Sequence, residues 1–380
     1  MLFYHIQGMF QTDVFVMTVF TEKSGGIWGT AGMEEKMRYP ASLKEKIGFV
    51  APSFGCASDP YKAAFVNAQK KWKEMGYKLD LGPNCYEEKG VGISNTPKEC
   101  GKELTEYYLR PDNECLISCG GGEMMCEILE HVDFEAIKKA PAKWYMGFSD
   151  NTNVTFLLTT LCDTASVYGP CAAAFGMEPW HSALSDAMEI LQGKRKAVES
   201  YGMWEKEGLE DALAPYQCTQ ELALKLYRPD PAGNMVKADS ISMEGRLIGG
   251  CMDCLVNLLG TRFDNVKAFN EKYKENGFIW FLESCDLNVF SIRRAMWQME
   301  QAGWFEHVKG FLIGRPLCHG QEMMGLDQYQ AILPTVQRHK VPVIMDADIG
   351  HLPPMMPLVT GSMAAVAAKD GKMEVKMRFE

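Results

Sequence analysis

Lys143-Trp144-Tyr145-Met146-Gly147-Phe148-Ser149-Asp150-Asn151-Thr152 sets a short apolar run against an abrupt Gly-Phe-Ser-Asp break, and a helical pattern of Val154, Phe156, Leu157, Leu158 and Leu161 follows at once. The run reads as a β-strand and its sequel as a helix. A serine at a sharp strand-to-helix turn is held away from the core, with its hydroxyl presented at the carboxyl edge of a sheet. The N-terminus of the following helix offers unpaired backbone N–H groups to a developing oxyanion. Ser149 and Asp150 equally suit a plain helix cap. The rest of the chain decides between the two.

Short strands and helices alternate around this turn. Ile47-Gly48-Phe49-Val50-Ala51 reads as a buried strand stopped by Pro52-Ser53, and Tyr61, Ala64, Phe65, Ala68, Trp72 and Met75 recur at helical spacing before Gly76. Residues 77–81 read as a strand, 97–109 as a helix, and 115–118 as a strand ending in Gly120-Gly121-Gly122, with a helix expected over 123–131. Such alternation predicts a parallel sheet covered on both faces, with ligands at the carboxyl ends of its strands. The triglycine turn and the serine turn would share that edge.

Beyond Gly169-Pro170 the pattern breaks. Residues 180–193 are helical, but 194–240 are polar and punctuated by proline, as a connection between domains or a long insertion would be. Regularity returns at Gly245-Arg246-Leu247-Ile248-Gly249-Gly250. A helix around Leu255 and Leu258 follows, then the strand 278–282 ending in Glu283, a helix over 290–302, strands at 308–314 and 341–345, and a hairpin turning at Asp370-Gly371. The expected organisation is therefore an N-terminal extension (1–40), a serine-bearing α/β domain (41–175), a connecting region (176–240) and a second mixed α/β domain (241–380).

A chain of 380 residues makes two domains the expectation. Its net charge of −10 argues against binding nucleic-acid polymers or anionic membranes, while leaving room for a small anionic ligand in a local pocket. The thirteen cysteines are scattered, odd in number and mostly beside apolar residues. They suit reduced thiols in a cytoplasmic protein better than a disulfide framework. Cys251-Met252-Asp253-Cys254 is the only close C-x-x-C pair, and with no second pair or suitably spaced histidines it reads as packing, not as a metal site. No stretch reaches the roughly 20 apolar residues that span a bilayer. Residues 1–37 lack a basic n-region and a cleavage site, so they read as an accessory extension and not as a secretory signal, with Met33 or Met37 as an alternative start.

Ser149, Glu283 and His351 stand at or just beyond the ends of apolar strands. Acyl transfer by serine needs a base to take the hydroxyl proton and a third group to orient that base, and these residue types supply the set. The plain alternatives are a surface-loop histidine between Gly350 and Pro353-Pro354, and a strand-ending glutamate paired with Arg293 or Arg294.

The chain resembles the LD-carboxypeptidase family of serine peptidases, which includes the microcin C self-immunity proteins. The matching pieces are Ile47 to Ser53, Gly120-Gly121, Gly147-Phe148-Ser149-Asp150-Asn151-Thr152, Tyr168-Gly169-Pro170, Gly245 to Gly250, Leu259-Gly260-Thr261, Phe281-Leu282-Glu283 and Ile349-Gly350-His351. Each is weak alone, but their common order across nearly the whole chain is specific. The resemblance implies a flavodoxin-like or class I amidotransferase-like N-terminal parallel-sheet domain, a smaller C-terminal domain, and usually a homodimer. It implies Ser149 as nucleophile, with Glu283 and His351 from the second domain, and no metal or organic cofactor. The oxyanion would be met by backbone N–H groups of Asp150 and of Gly121, with Gly122 second.

Two departures bear on substrate. Gly122-Glu123-Met124 stands where Asn, Ser or Tyr often follows the glycine pair, and Cys251-Met252-Asp253 where an Asn-Leu-Ser type sequence is common. Glu123 is thus a candidate substrate contact. Within the resemblance, the substrate is a murein tetrapeptide or an aminoacyl-nucleotide amide. Phe175 and Trp180 are candidates to stack on a base, or simply packing. A cysteine amidotransferase-like enzyme using Cys119 and a non-catalytic binding protein are the rival classes.

Overall fold

The computed structural model describes residues 36–208, 211 and 213–379. Most of the expected extension thus lies outside the described residues. Residues 36–40 do not behave as an extension. Met37 is buried, and Arg38 donates to the Ala140 carbonyl at 2.7 Å and to Thr164 Oγ1 at 2.5 Å.

The first sheet has six strands in the order Leu358–Thr360, Ser166–Tyr168, Trp144–Gly147, Cys115–Ser118, Lys46–Val50, Lys78–Leu81. All pair in parallel except the first, which runs antiparallel to Ser166–Tyr168. The strands at 115–118 and 144–147 are buried at every residue, as continuous apolar runs covered on both faces must be. The helix Tyr61–Glu74 turns Ala64, Phe65, Ala68 and Trp72 inward, one stripe at helical spacing. Truncating a fully buried tryptophan such as Trp72 costs about 3–5 kcal/mol. The helix Pro97–Leu109 starts at a proline and is capped by Thr96, whose side chain accepts from Glu99 N–H.

The second sheet has nine strands in the order Met235–Lys237, Lys225–Pro229, Val343–Ala347, Val308–Gly314, Phe278–Glu283, Ser240–Cys251, Met363–Lys369, Lys372–Arg378, Ala197–Glu199. Its centre is parallel and its flanks are antiparallel. The long strand Ser240–Cys251 shows why both patterns occur in one element. Its first half alternates exposed and buried residues beside the hairpin strand Met363–Lys369, and its second half is buried throughout beside Phe278–Glu283.

Several expectations need correcting. Residues 123–131 form a short 3-10 segment, Met125–His131, and no α-helix. The connecting region 176–240 contributes Ala197–Glu199, Lys225–Pro229 and Met235–Lys237 to the second sheet. Ala197–Glu199 and Met235–Lys237 are the two edges of that sheet and Lys225–Pro229 lies next to one of them; all three keep exposed faces, which carry no continuous apolar signal. The strand Leu358–Thr360, from the C-terminal part of the chain, completes the first sheet, where the Thr360 hydroxyl lies 2.7 Å from those of Ser166 and Thr159. One buried apolar cluster draws on both sheets, including Phe49, Trp72, Tyr168, Phe281, Ile344 and Val375. The two halves therefore share a core.

Candidate active site

The strand Trp144–Gly147 ends at Phe148, whose backbone is extended, and Ser149 then takes φ +63 before the chain enters a 3-10 turn and the helix Thr152–Thr160. A non-glycine residue in that region costs of order 1–3 kcal/mol and persists only where surroundings hold it. The two residues after the serine do the holding. Asn151 Nδ2 donates to the Gly120 carbonyl at 2.8 Å and the Phe148 carbonyl at 3.1 Å, while its Oδ1 accepts from Tyr145 at 2.5 Å. Asp150 Oδ2 accepts from Ser53 at 2.6 Å and from Met125 N–H at 2.9 Å, and its Oδ1 accepts from Asn153 at 3.0 Å. Burial pushes the Asp150 carboxyl up, against the pull of those donors. Neither Ser149 nor Asp150 caps the helix with its side chain.

The Ser149 hydroxyl instead meets His351, with Oγ 2.8 Å from Nε2, and His351 Nδ1 lies 2.8 Å from Glu283 Oε2. With the carboxylate accepting at Nδ1, Nδ1 carries the proton and the Nε2 lone pair faces the serine. Glu283 is wholly buried at the end of its strand, while His351 and Ser149 are partly exposed. Burial alone would push the Glu283 carboxyl up, but the His351 charge and hydrogen bonds from His351, Tyr168 and Cys251 outweigh it and hold the carboxyl low. Burial likewise pulls His351 down, yet Glu283 and Cys285 together hold it well above the usual imidazole range. Gly350, at φ +103, lets the loop close on the carboxylate, since a Cβ there would fall 2.5 Å from Glu283 Oε2.

Tyr168 was not among the candidate site residues. Its phenol, fully buried, donates to Glu283 Oε1 at 2.5 Å and accepts from Ser149 N–H at 3.3 Å. Burial and the adjacent Glu283 push that phenol well up, so it stays a donor. The available signal was a tyrosine ending an apolar strand, because a buried phenol needs a polar partner. Asp253 was also missed: its carboxylate accepts from Cys285 N–H at 3.1 Å and Asp286 N–H at 2.8 Å, pinning the turn after Glu283.

The remaining candidates divide. Gly121 abuts the serine, where an added Cβ would lie 3.3 Å from Ser149 Oγ, whereas a Cβ on Gly122 would point away from it, against Ser53 Oγ and 3.0 Å from the Gly92 carbonyl oxygen. Asp150 N–H is the second of the turn, where no intrahelical acceptor exists. Glu123 is exposed as a residue, but partial desolvation of its carboxyl, together with Asp286, Asp150 and Asp253, pushes it up. Phe175 is packed away inside the core, whereas Trp180 is half-buried. Phe175 is fully buried between Trp72 (4.9 Å between centroids) and Trp180 (5.3 Å), and the Trp180 N–H bonds the Phe175 carbonyl at 2.7 Å. Phe175 thus meets the apolar stripe of the helix Tyr61–Glu74 through Trp72, while the Lys71 ammonium of the same helix lies 5.7 Å from the Trp180 ring centroid. Arg293 and Arg294 bond Gln330 and Ser291 and leave Glu283 to its other partners.

Cys119 is fully buried, and burial with Cys56 and Cys85 alongside pushes its thiol well up, the opposite of an activated nucleophile. Cys254 Sγ lies 3.6 Å from the Ser149 carbonyl, and the Cys251 thiol is pushed up by burial. Among the described residues no group of three or more His, Cys, Asp or Glu is arranged to hold a metal ion. No described helix is long and apolar enough to cross a membrane.

A family model described as the LD-carboxypeptidase N-terminal domain matches residues 47–169, and one described as the LD-carboxypeptidase C-terminal domain matches residues 244–366. The chain belongs to the LD-carboxypeptidase family. It is 24% identical over 333 residues to the microcin C7 self-immunity protein MccF of Escherichia coli, covering 86% of this chain and 92% of that protein. A probable murein peptide carboxypeptidase of Bacillus subtilis is 23% identical over 331 residues, covering 85% of this chain and 88% of its own. Among solved structures, MccF in complex with aspartyl sulfamoyl adenosine aligns with TM-score 0.72 and 22% identity, over 90% of this chain and 99% of that one. An MccF-like protein from Bacillus anthracis aligns with TM-score 0.73 and 20% identity over the same shares. These structures share the fold described above.

Proposed function

We propose that this LD-carboxypeptidase family member is a serine hydrolase that removes a terminal residue by cleaving a peptide or amide bond. The observation that carries the reading is the unbroken chain of contacts Ser149 Oγ–His351 Nε2 and His351 Nδ1–Glu283 Oε2, each 2.8 Å, at a strand-to-helix turn. Ser149 Oγ attacks the carbonyl carbon while its proton passes to His351 Nε2. Glu283 keeps the other imidazole nitrogen protonated and balances the imidazolium. Backbone N–H groups of Asp150 and Gly121 meet the oxyanion, and one such donor contributes about 3 kcal/mol to transition-state stabilisation. His351 then gives its proton to the leaving amine. Water, deprotonated by the same imidazole, releases the acyl group and restores the serine.

The first substrate class is a murein tetrapeptide losing its terminal D-residue at an L-to-D bond, which the family assignment supports. The likeness to a microcin C7 self-immunity protein supports a second, an aminoacyl-nucleotide amide, for which the half-buried Trp180, and not the fully buried Phe175, is the aromatic left to meet a base. Thirteen unpaired cysteines support a reducing, cytoplasmic setting, and the homodimer belongs to the same proposal.

Mass spectrometry after incubation with murein tetrapeptides and aminoacyl sulfamoyl adenosines tests both classes. Ser149→Ala is expected to melt like wild type and to release no product, while Cys119→Ala keeps activity. A Ser149→Ala protein that still turns over at full rate sinks the serine mechanism.

A further inference from the structure

The loop that carries His351 is gripped from behind by one buried arginine. Arg315 follows the strand Val308–Gly314 and is 1% exposed. Its guanidinium reaches the loop on both sides of the histidine. Nη1 donates to the Asp346 carbonyl at 3.0 Å, and Nη2 donates to the Leu352 carbonyl at 3.2 Å and pairs with Asp348 Oδ1 at 2.6 Å. The Arg315 backbone N–H adds a bond to the Ala347 carbonyl at 3.3 Å. Asp348, itself buried, accepts from Tyr201 N–H at 2.7 Å through Oδ2, and its carbonyl accepts from Met356 N–H at 2.7 Å. Trp204 covers the guanidinium with its ring centroid 4.9 Å away, and Glu205 N–H bonds the Pro353 carbonyl at 2.8 Å.

A buried ion pair is a poor way to stabilise a fold, because apolar residues of similar volume usually serve as well. What a guanidinium fork adds is direction: several fixed donors aimed at separate points of one loop. This loop needs them. Asp346 and Gly350 both sit at positive φ, at +61 and +103, and no ladder of strand bonds holds the segment after Ala347. None of the hydrogen bonds or ion pairs of Arg315 involves Ser149 or Glu283.

We propose that Arg315 is a positioning residue for His351: with Asp348 it clamps residues 346–352 so that the imidazole stays between Glu283 and Ser149, and it ties that loop to the segment 201–205. The proposal rests on the triad reading above. It gives the region 176–240 a part in the geometry of the base as well as in the second sheet.

Two variants test it. Arg315→Lys keeps the charge and loses the fork. The double variant Arg315→Met with Asp348→Leu removes both charges together, so that no lone charge is left buried. Steady-state kinetics across pH are run with whichever substrate the wild type cleaves, beside fluorophosphonate labelling of wild-type Ser149. A misplacement near 1 Å costs about 100-fold in rate. The double variant should therefore lose about 100-fold in kcat and Arg315→Lys about tenfold, with KM little changed and melting temperatures near wild type. The acid limb of the pH profile should move to lower pH in both, because the high His351 pKa depends on its contact with Glu283, seconded by Cys285. A wild-type protein that neither turns over nor labels at Ser149 overturns the triad reading and the proposal with it. An active, labelled wild type whose variants keep its kcat overturns the positioning role alone. So does a fall in kcat with the acid limb unmoved, which marks a general loosening.

Discussion

Replacing Glu283 by glutamine removes one charge and almost no volume from the centre of the site. The wild-type carboxylate is wholly buried and lies 2.8 Å from His351 Nδ1, with its second oxygen 2.5 Å from the Tyr168 phenol. Such a hydrogen bond puts the two charge centres about 4 Å apart once the imidazolium forms, which is about 4 kcal/mol at an effective dielectric constant of 20. That interaction exists in full only after His351 has taken the serine proton. Its loss should therefore appear in the acylation rate, as about a thousandfold drop. The pH dependence has a definite sign as well. The base works only when neutral, and Glu283 holds His351 well above the ordinary range against the effect of burial. Wild-type kcat/KM should thus fall as pH drops through a pKa above the ordinary histidine value of about 6.5. In Glu283→Gln that limb should move to lower pH while the plateau collapses. Single-turnover acylation across pH measures both. A plateau within about tenfold of wild type, or a limb that stays in place, would refute the idea that Glu283 is the counter-charge.

Other changes probe its neighbours. Tyr168→Phe keeps the ring and deletes the hydroxyl that joins Glu283 to the Ser149 backbone. Chemical denaturation should show a loss of about 1.5–3 kcal/mol, the worth of a hydrogen bond to a charged group, and wild-type stability would mean that Glu283 does not need that donor. Gly350→Ala forces a Cβ against the Glu283 carboxylate at φ +103. It should cost of order 1–3 kcal/mol and lower turnover with little change in KM, and normal kinetics would show that the loop relaxes elsewhere.

Much of the local structure was legible because local signals produce it. Apolar runs of four to six residues became buried parallel strands, and the stripe through Ala64, Phe65, Ala68 and Trp72 became the inner face of a helix. Residues 123–131 were misread as a helix because Met125, Ile128 and Leu129 keep helical spacing, although the segment is only a short 3-10 turn. The strands inside 176–240 were illegible for the opposite reason: edge strands with exposed faces carry too little apolar signal to stand out from a loop. Phe175 and Trp180 were ambiguous, because aromatic composition does not distinguish a ring packed on Trp72 from a ring facing a ligand.

By itself the sequence determined the alternation of strands and helices and the sharp turn at Ser149, which depend on neighbours within a turn or a strand, and the order of motifs that marks the family, which is read directly along the chain. Only the tertiary structure decided that residues 202 positions apart meet within 2.8 Å, that Tyr168 takes the second oxygen of Glu283, and that Asp348 faces Arg315 and not the histidine. Those outcomes depend on sheet order and register, on the strand Leu358–Thr360 crossing into the first sheet, and on a core shared between the halves. Such long-range pairings leave no periodic trace in a chain, because their partners are set by how whole elements pack.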